Sequence, residues 1–435
     1  CMYYVEERET EVIFKDEEEH RQARIPRRNY MGMYQTGNPP SLEREKYREK
    51  ILIPVENGGE RLSEIVREKQ AKNVCVIISD ATRGIPTKQI LPFLLEELKL
   101  GGIQEEQIIF MVALGVHRGA TPDEMKTFIG EELFKKARIE NHNAFDEKKL
   151  VYLGKTSRGT PVKVNRTVYE SDLVITIGKV ELHDMAGFSG GRKSILPGVS
   201  SEETILINHR PQMIEDPNSR AGNLKDNPIH EDMLEAAKMC GTDYCVNLVM
   251  NQKQEIAGIF SGELQSSHEA AADFLKSFCS VSIEKRPDIY LVCPGSPLNI
   301  DLYQGMKALI GIHTLIQENA TVILYGDFRE GINSKDFFTP FQLCPTLEQL
   351  EQYVWENYEI QMDHIIPFMK ILKKSPRILV VSENVEKENL EQMHMEKAAD
   401  LQTAVEEAIS KSGKEVPQIA ICPQSYRCIF EIEKK

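Results

Sequence analysis

The chain has 435 residues, with 53 Lys and Arg against 67 Asp and Glu for a net charge of −14. That length suggests two or three domains, and hydrophobic and charged fractions of 41% and 28% exclude wholesale disorder. The acidic balance disfavours nucleic-acid and anionic-membrane binding, which need a phosphate-neutralising surface. Residues 1 to about 50 are charged and carry Ile25-Pro26-Arg27-Arg28-Asn29 and Gly37-Asn38-Pro39-Pro40. This arm reads as irregular, or as a strand pair lying on another element.

Beyond it, apolar strands alternate with amphipathic helices. Asn73–Ser79 is a short continuous apolar run, as expected for a strand covered on both faces. A helix is expected at Thr87–Leu100, a strand at Gln107–Val116, a helix at Thr121–Phe128 and a strand at Leu173–Val180. A helix at Pro228–Met239, strands at Cys245–Asn251 and Glu255–Phe260, and a helix at Gly262–Phe278 follow. The pattern then restarts with a strand at Asp288–Pro294, a helix at Asp301–Gln317 and a strand at Ala320–Asp327. Helices at Leu347–Asn357 and Gln361–Lys373, a strand at Arg377–Ser382, a helix at Leu401–Ser410 and a strand at Gln418–Cys422 complete the chain.

This alternation predicts an α/β fold: two α/β domains with mainly parallel sheets and an interdomain active-site cleft. The expected boundaries are an N-terminal domain over 1–280, a C-terminal domain over 284–412, and a final segment, 413–435, packing back on the first domain. The break is placed at Glu284–Pro287. Nine cysteines without a Cys-x-x-Cys pair read as buried free thiols. The apolar run Ile108–Leu114 is far shorter than the roughly 20 residues of a membrane span, and the first residues show no secretory pattern. A cytoplasmic location is expected.

Four segments join small and polar residues directly after expected strands, on the rim where open α/β sheets bind ligands. They are Ser79-Asp80-Ala81-Thr82-Arg83-Gly84, Leu114-Gly115-Val116-His117-Arg118-Gly119, the glycine-rich stretch Glu181 to Lys193, and Pro294 through Lys307. In the third, Gly187, Lys193 and Ser194 fit a phosphate loop, but Arg192 stands at its second glycine position. Ser200 and Glu203 form a capping-box pair for a short helix closed by His209. Each of His117, His183 and His209 alone reads as a locally satisfied histidine, but together with Lys193 and Arg83 they lie on loops that can converge, and imidazole suits Ni, Zn, Cu or Fe. No neighbouring His or Cys closes the site, so if a metal binds, most of its ligands must come from outside the protein.

Ser-Asp-Ala-Thr-Arg (79–83), Gly-Val-His-Arg (115–118), His183 with Gly-Phe-Ser-Gly-Gly-Arg-Lys-Ser-Ile-Leu-Pro-Gly (187–198), Asn208-His209 and Tyr303-Gln304 with Lys307 together resemble the nickel-dependent lactate racemase family, over roughly 50–430. The resemblance implies a 2-hydroxy acid racemase or epimerase, acting on lactate, a diacid or a sugar acid. It also implies a nickel-pincer nucleotide, the Ni-pyridinium-3,5-bisthiocarboxylic acid mononucleotide, tethered through Lys193, with His209 as protein ligand to nickel. His117 and His183 would be the acid/base pair and Arg83 and Lys307 the carboxylate grip; Asp80, Tyr303 and Gln304 would line the cofactor site. Enzymes that make the cofactor and insert nickel are implied partners.

The chemistry suits these residue types. Hydride removal from C2 needs an electron sink, which a pyridinium supplies, and imidazole titrates in the range needed to take the hydroxyl proton. Arg83 can grip a carboxylate through two parallel hydrogen bonds. Lys193 must be neutral to be acylated, which burial favours. Three departures stand out: Gly84-Ile85-Pro86 places proline late, Asp184 and Arg192 add charge beside the site, and Trp355 lies in an apparent surface helix. The extra charge suggests a diacid or polyhydroxy acid. The competing readings are a non-catalytic nickel-cofactor-binding protein and a phosphate-loop nucleotide enzyme.

Overall fold

A computed structural model describes residues 2–80 and 84–433. Its contacts divide the chain into a unit of Asn38–Phe278 and a unit built from Cys1–Gly37 with Cys279–Lys435.

In the first unit, six strands lie in the order Ile256–Gly262, Tyr244–Met250, Leu173–Lys179, Val74–Ser79, Ile108–Ala113, Arg138–Asn141. Every pairing is parallel except that of Ile256–Gly262 with Tyr244–Met250. The five residues Val74–Ile78 are all buried, so near-continuous apolar sequence and a two-sided parallel strand go together here. Helix Thr87–Gly101 covers this sheet although Pro92 lies inside it. A proline there costs about 3 kcal/mol. Buried Ile90, Leu91, Leu94 and Leu98 contribute roughly 2 kcal/mol each, so packing outweighs propensity.

The strand order positions the site. From Val74–Ser79 the chain steps outward to Ile108–Ala113 and Arg138–Asn141, then returns on the opposite flank as Leu173–Lys179. The order reverses between the two central strands, and the loops leaving their carboxyl ends are where such a sheet takes a ligand.

The second unit has a six-stranded parallel sheet in the order Glu396–Lys397, Arg377–Val381, Thr321–Tyr325, Ile289–Cys293, Ile419–Pro423, Tyr30–Met33. The N-terminal arm is ordered and belongs to this unit. It forms the antiparallel meander Tyr3–Glu7, Glu11–Asp16, Arg21–Pro26, whose Tyr3, Phe14, Ala23 and Ile25 enter the core beside Leu291, Tyr325 and Leu379. Tyr325 donates to Asp16 at 2.9 Å. The expected first domain of 1–280 is therefore corrected, because Tyr30–Met33 extends a sheet whose other strands come from beyond residue 288. The final segment stays in this unit as well. Ile419–Pro423 lies between Ile289–Cys293 and Tyr30–Met33, and Ile429–Ile432 pairs with Ser280–Ile283. That last pairing moves the break from Glu284–Pro287 to Phe278/Cys279.

Helix Leu302–Gly311 ends earlier than the expected Gln317. Gly311 packs so tightly on the Ser425–Tyr426 backbone that a Cβ there would lie 2.5 Å from the Tyr426 nitrogen. Eight cysteines of the described residues are free and buried, and burial pushes the Cys245 thiol up to about 12. No helix among the described residues is long and apolar enough to cross a membrane.

Four histidines of the first unit are buried and held neutral. Burial pushes His142 down to about 4, His209 and His230 to about 3, and His268 well below its ordinary value. Unfolding exposes them to water, where they take up protons below about pH 6.5. Their contribution is complete above that pH and is lost as pH falls toward their folded values, by on the order of 1 kcal/mol per histidine per pH unit. Urea melts of this unit's signal at pH 7.5 and 5.0 will show a marked loss of stability at the lower pH, smaller in His142→Gln; equal midpoints would contradict the assignment.

Candidate active site

Asp80 follows the central strand Val74–Ser79 and is buried, while His117 lies in the turn after Ile108–Ala113 and is 45% exposed. Gly115 makes that turn possible. Its φ of +53° is a conformation that a side chain resists, and its N–H donates to the Gly198 carbonyl at 2.9 Å. His117 Nδ1 lies 2.8 Å from Asp80 Oδ2. A buried carboxylate on Nδ1 fixes the tautomer and turns Nε2 outward as the basic atom.

The loop after Leu173–Lys179 carries three more groups. His183 pairs with Gly187 in a two-residue ribbon, where Gly187 has φ +79° and a Cβ would lie 2.3 Å from the Asn223 carbonyl oxygen. Gly191–Ser194 is a single 3-10 turn. It does not open a long helix, as a phosphate loop does.

Arg192 does not face the site. It is 1% exposed, and its guanidinium donates to the carbonyls of Ala186 at 2.8 Å and Gly190 at 3.2 Å, with Nη1 2.8 Å from His268 Nε2. No carboxylate pairs with it among the described residues. Burial alone pushes it down to about 9, and its Nε has no hydrogen-bond partner. An unpaired buried charge costs several kcal/mol, which here is offset by carbonyl dipoles drawn inward from the loop between His183 and Lys193. This corrects the expectation that Arg192 adds charge beside the site.

Lys193 Nζ lies 3.2 Å from His183 Nε2, and His183 Nδ1 lies 3.0 Å from Asp184 Oδ1. His209 caps helix Glu202–Asn208, whose N-cap is Ser201 accepting from Thr204 N, and not the expected Ser200. Ser200 is instead buried and donates to the Ile195 carbonyl. His209 Nδ1 donates to the Ile205 carbonyl at 3.0 Å. Burial first, and the Lys193 ammonium second, push this imidazole down to about 3. His183 and Asp184 act on it as well, so all four groups share one field. Its neighbour Asn208 is anchored at 2.8 Å on Asp232, a wholly buried carboxylate that also accepts from Thr156 and Thr160.

A neutral imidazole with Nδ1 committed leaves Nε2 as a lone pair, the form that binds a borderline metal such as nickel. Among the described residues no group of three or more His, Cys, Asp or Glu side chains is arranged to hold a metal. A metal at His209 would take its other ligands from a non-protein group. A single neutral imidazole fits a metal that brings its other ligands with it.

In the second unit, Tyr303, Gln304 and Lys307 are half-buried on helix Leu302–Gly311, one turn apart or less. Tyr303 stacks on His364 with centroids 4.5 Å apart and donates to Asp363. Lys307 has no ion-pair partner among the described residues. Arg83 lies outside the described residues. Trp355 is on helix Leu347–Glu356 and is 38% exposed. The sequence reading missed Asp184 as the partner of His183, although adjacency was a signal, and missed His268 and Asp232, for which no local signal exists.

Residues 17–222 match the lactate racemase N-terminal domain and residues 284–429 the lactate racemase C-terminal domain. The chain is 30% identical over 419 residues to the lactate racemase of Lactiplantibacillus plantarum, covering 94% of this chain and 97% of the relative. It is 31% identical over 285 residues to that of Thermoanaerobacterium thermosaccharolyticum, covering 66% of each. The solved lactate racemase apoprotein of the latter organism superposes with a TM-score of 0.86 at 27% identity, covering 94% of this chain and 96% of that one. A Thermotoga maritima structure shares the fold, with a TM-score of 0.64 at 16% identity over 92% of this chain and all of that one. With both domains matched in order and nearly the whole chain aligned, this protein is an isomerase that belongs to the lactate racemase family.

Proposed function

We propose that the chain racemises or epimerises a 2-hydroxy acid, lactate or a close relative, with a nickel-pincer nucleotide tethered at Lys193 and ligated by His209. The observation that carries this reading is the contact of Lys193 Nζ with His183 Nε2, with the neutral His209 imidazole within reach of the lysine's charge and an Asp80–His117 pair at the ends of the neighbouring parallel strands. When bound, the cofactor supplies a pyridinium electron sink that accepts the C2 hydrogen with its electron pair.

The protein's own part is proton handling and orientation. His117 and His183 each offer Nε2 to take the hydroxyl proton from one face and return it on the other. The planar keto acid between these events has no handedness, so two bases allow either enantiomer to form. Arg83 and Lys307 hold the carboxylate, which fixes the axis about which the ligand is attacked. Asp80, Tyr303 and Gln304 line the site.

With Arg192 buried and Asp184 beside His183 and only 20% exposed, little of the charge that suggested a diacid or sugar acid faces solvent. Lactate-like substrates are the simpler choice, and diacids and sugar acids remain in the panel to be tested. The enzymes that build the cofactor and insert nickel are the partners this reading requires.

The test is to produce the chain with those enzymes and nickel, and to follow optical rotation and deuterium exchange at C2 across hydroxy acids. Turnover of at least one acid is expected; a loaded chain that exchanges none would be a cofactor-binding protein instead. His117→Gln and His183→Gln will lower turnover by at least about 100-fold, the usual scale of general acid–base catalysis. His117→Gln will keep the cofactor mass on the protein. His209→Ala will release nickel during dialysis while the wild type retains it, as read by elemental analysis; equal retention would remove His209 as the ligand.

A further inference from the structure

Lys193, His183 and Asp184 form a chain of contacts with the logic of an activated nucleophile: amine, imidazole base, orienting carboxylate. Nζ to Nε2 is 3.2 Å and Nδ1 to Oδ1 is 3.0 Å. The amides of Met185 and Ala186 also face Nδ1, at 3.4 and 3.3 Å. Nδ1 cannot both accept from them and donate to Asp184. An ammonium at Lys193 can only donate, so Nε2 accepts from it and the ring proton of a neutral His183 sits on Nδ1, 3.0 Å from Asp184 Oδ1. The His183 and Asp184 side chains are 24% and 20% exposed, so the relay is shielded but reachable.

We infer that the chain promotes its own acylation: His183, oriented by Asp184, is the base that makes Lys193 nucleophilic. Nζ attacks the carbonyl carbon of a carboxylic or thiocarboxylic acyl group and the C–N bond forms. His183 Nε2 takes one proton from the Lys193 ammonium and releases it to solvent before the attack; a second Nζ proton, lost as the C–N bond forms, passes through Nε2 to the departing oxygen or sulfur. The C–O or C–S bond breaks, and water leaves from a carboxylic acid, hydrogen sulfide from a thiocarboxylic acid, or a thiol from a thioester. No oxidant or reductant is needed. Acylation also removes the cationic donor from Nε2, which frees the same imidazole for substrate. Attachment and turnover would thus use one histidine in succession.

That the native acyl donor is the cofactor rests on the function proposed above; the nucleophilicity does not. The test uses the chain made without cofactor or nickel, treated at pH 7.5 with a small aryl thioester and mapped by peptide mass spectrometry. Lys193 is expected to acylate about 100-fold faster than the exposed Lys253. His183→Gln should bring Lys193 near the Lys253 rate, and Asp184→Asn should slow it about tenfold, with melting curves showing both folded. An unchanged Lys193 rate in folded His183→Gln overturns the inference. Should that variant unfold, an unchanged rate in folded Asp184→Asn does so. Because the readout needs no turnover, an active racemase with a sluggish Lys193 would refute this inference alone, and a reactive Lys193 in a chain that racemises nothing would refute only the proposed function.

Discussion

Parallel strands deliver their following loops to one edge of a sheet, and that constraint governs the placement of the chemistry. Leu173–Lys179, Val74–Ser79 and Ile108–Ala113 are neighbours that run the same way, so Asp80, His117 and the His183–Lys193 loop must emerge side by side. Side chains separated by more than a hundred positions gather because the strand order reverses between the two central strands. No single residue could be moved to another edge of the sheet without rebuilding the topology.

The loop itself is held from within. Arg192 draws carbonyls inward, Gly187 lets the chain pass close to Asn223, and Asn208 ties the His209 helix to Asp232. Arg192 and the Asn208–Asp232 pair place charged or polar groups in the interior, where they are costly unless satisfied. Each of the three devices also leaves a reactive side chain oriented toward the rim. The imidazoles of His117 and His183, the acid/base pair of the proposed reaction, each have a carboxylate within 3.0 Å of Nδ1. A reaction that must run equally well from either enantiomer needs two comparable bases, and matched Asp–His pairs are one way to obtain them.

Much of this was legible in the sequence because parallel strands buried on both faces are written as apolar runs, as at Val74–Ile78 and Leu173–Ile177. The rim motifs followed from what comes after those runs. The arm was not legible. In its third strand Ala23 and Ile25 point inward while Gln22 and Arg24 point out, so half of each strand reads as charged loop. The pairing of Tyr30–Met33 with Ile419–Pro423 joins segments nearly 400 residues apart and leaves no local trace. Arg192 was misjudged for a related reason: its side chain turns inward only because the carbonyls of its own loop converge there, a geometry that composition does not record.

The most direct measurement of the central claim is peptide mapping of the chain produced with the cofactor-making enzymes and nickel. A single stable adduct on the peptide carrying Lys193, absent in Lys193→Arg, is the result expected. An adduct on another lysine, or a racemising chain with an unmodified Lys193, would contradict it.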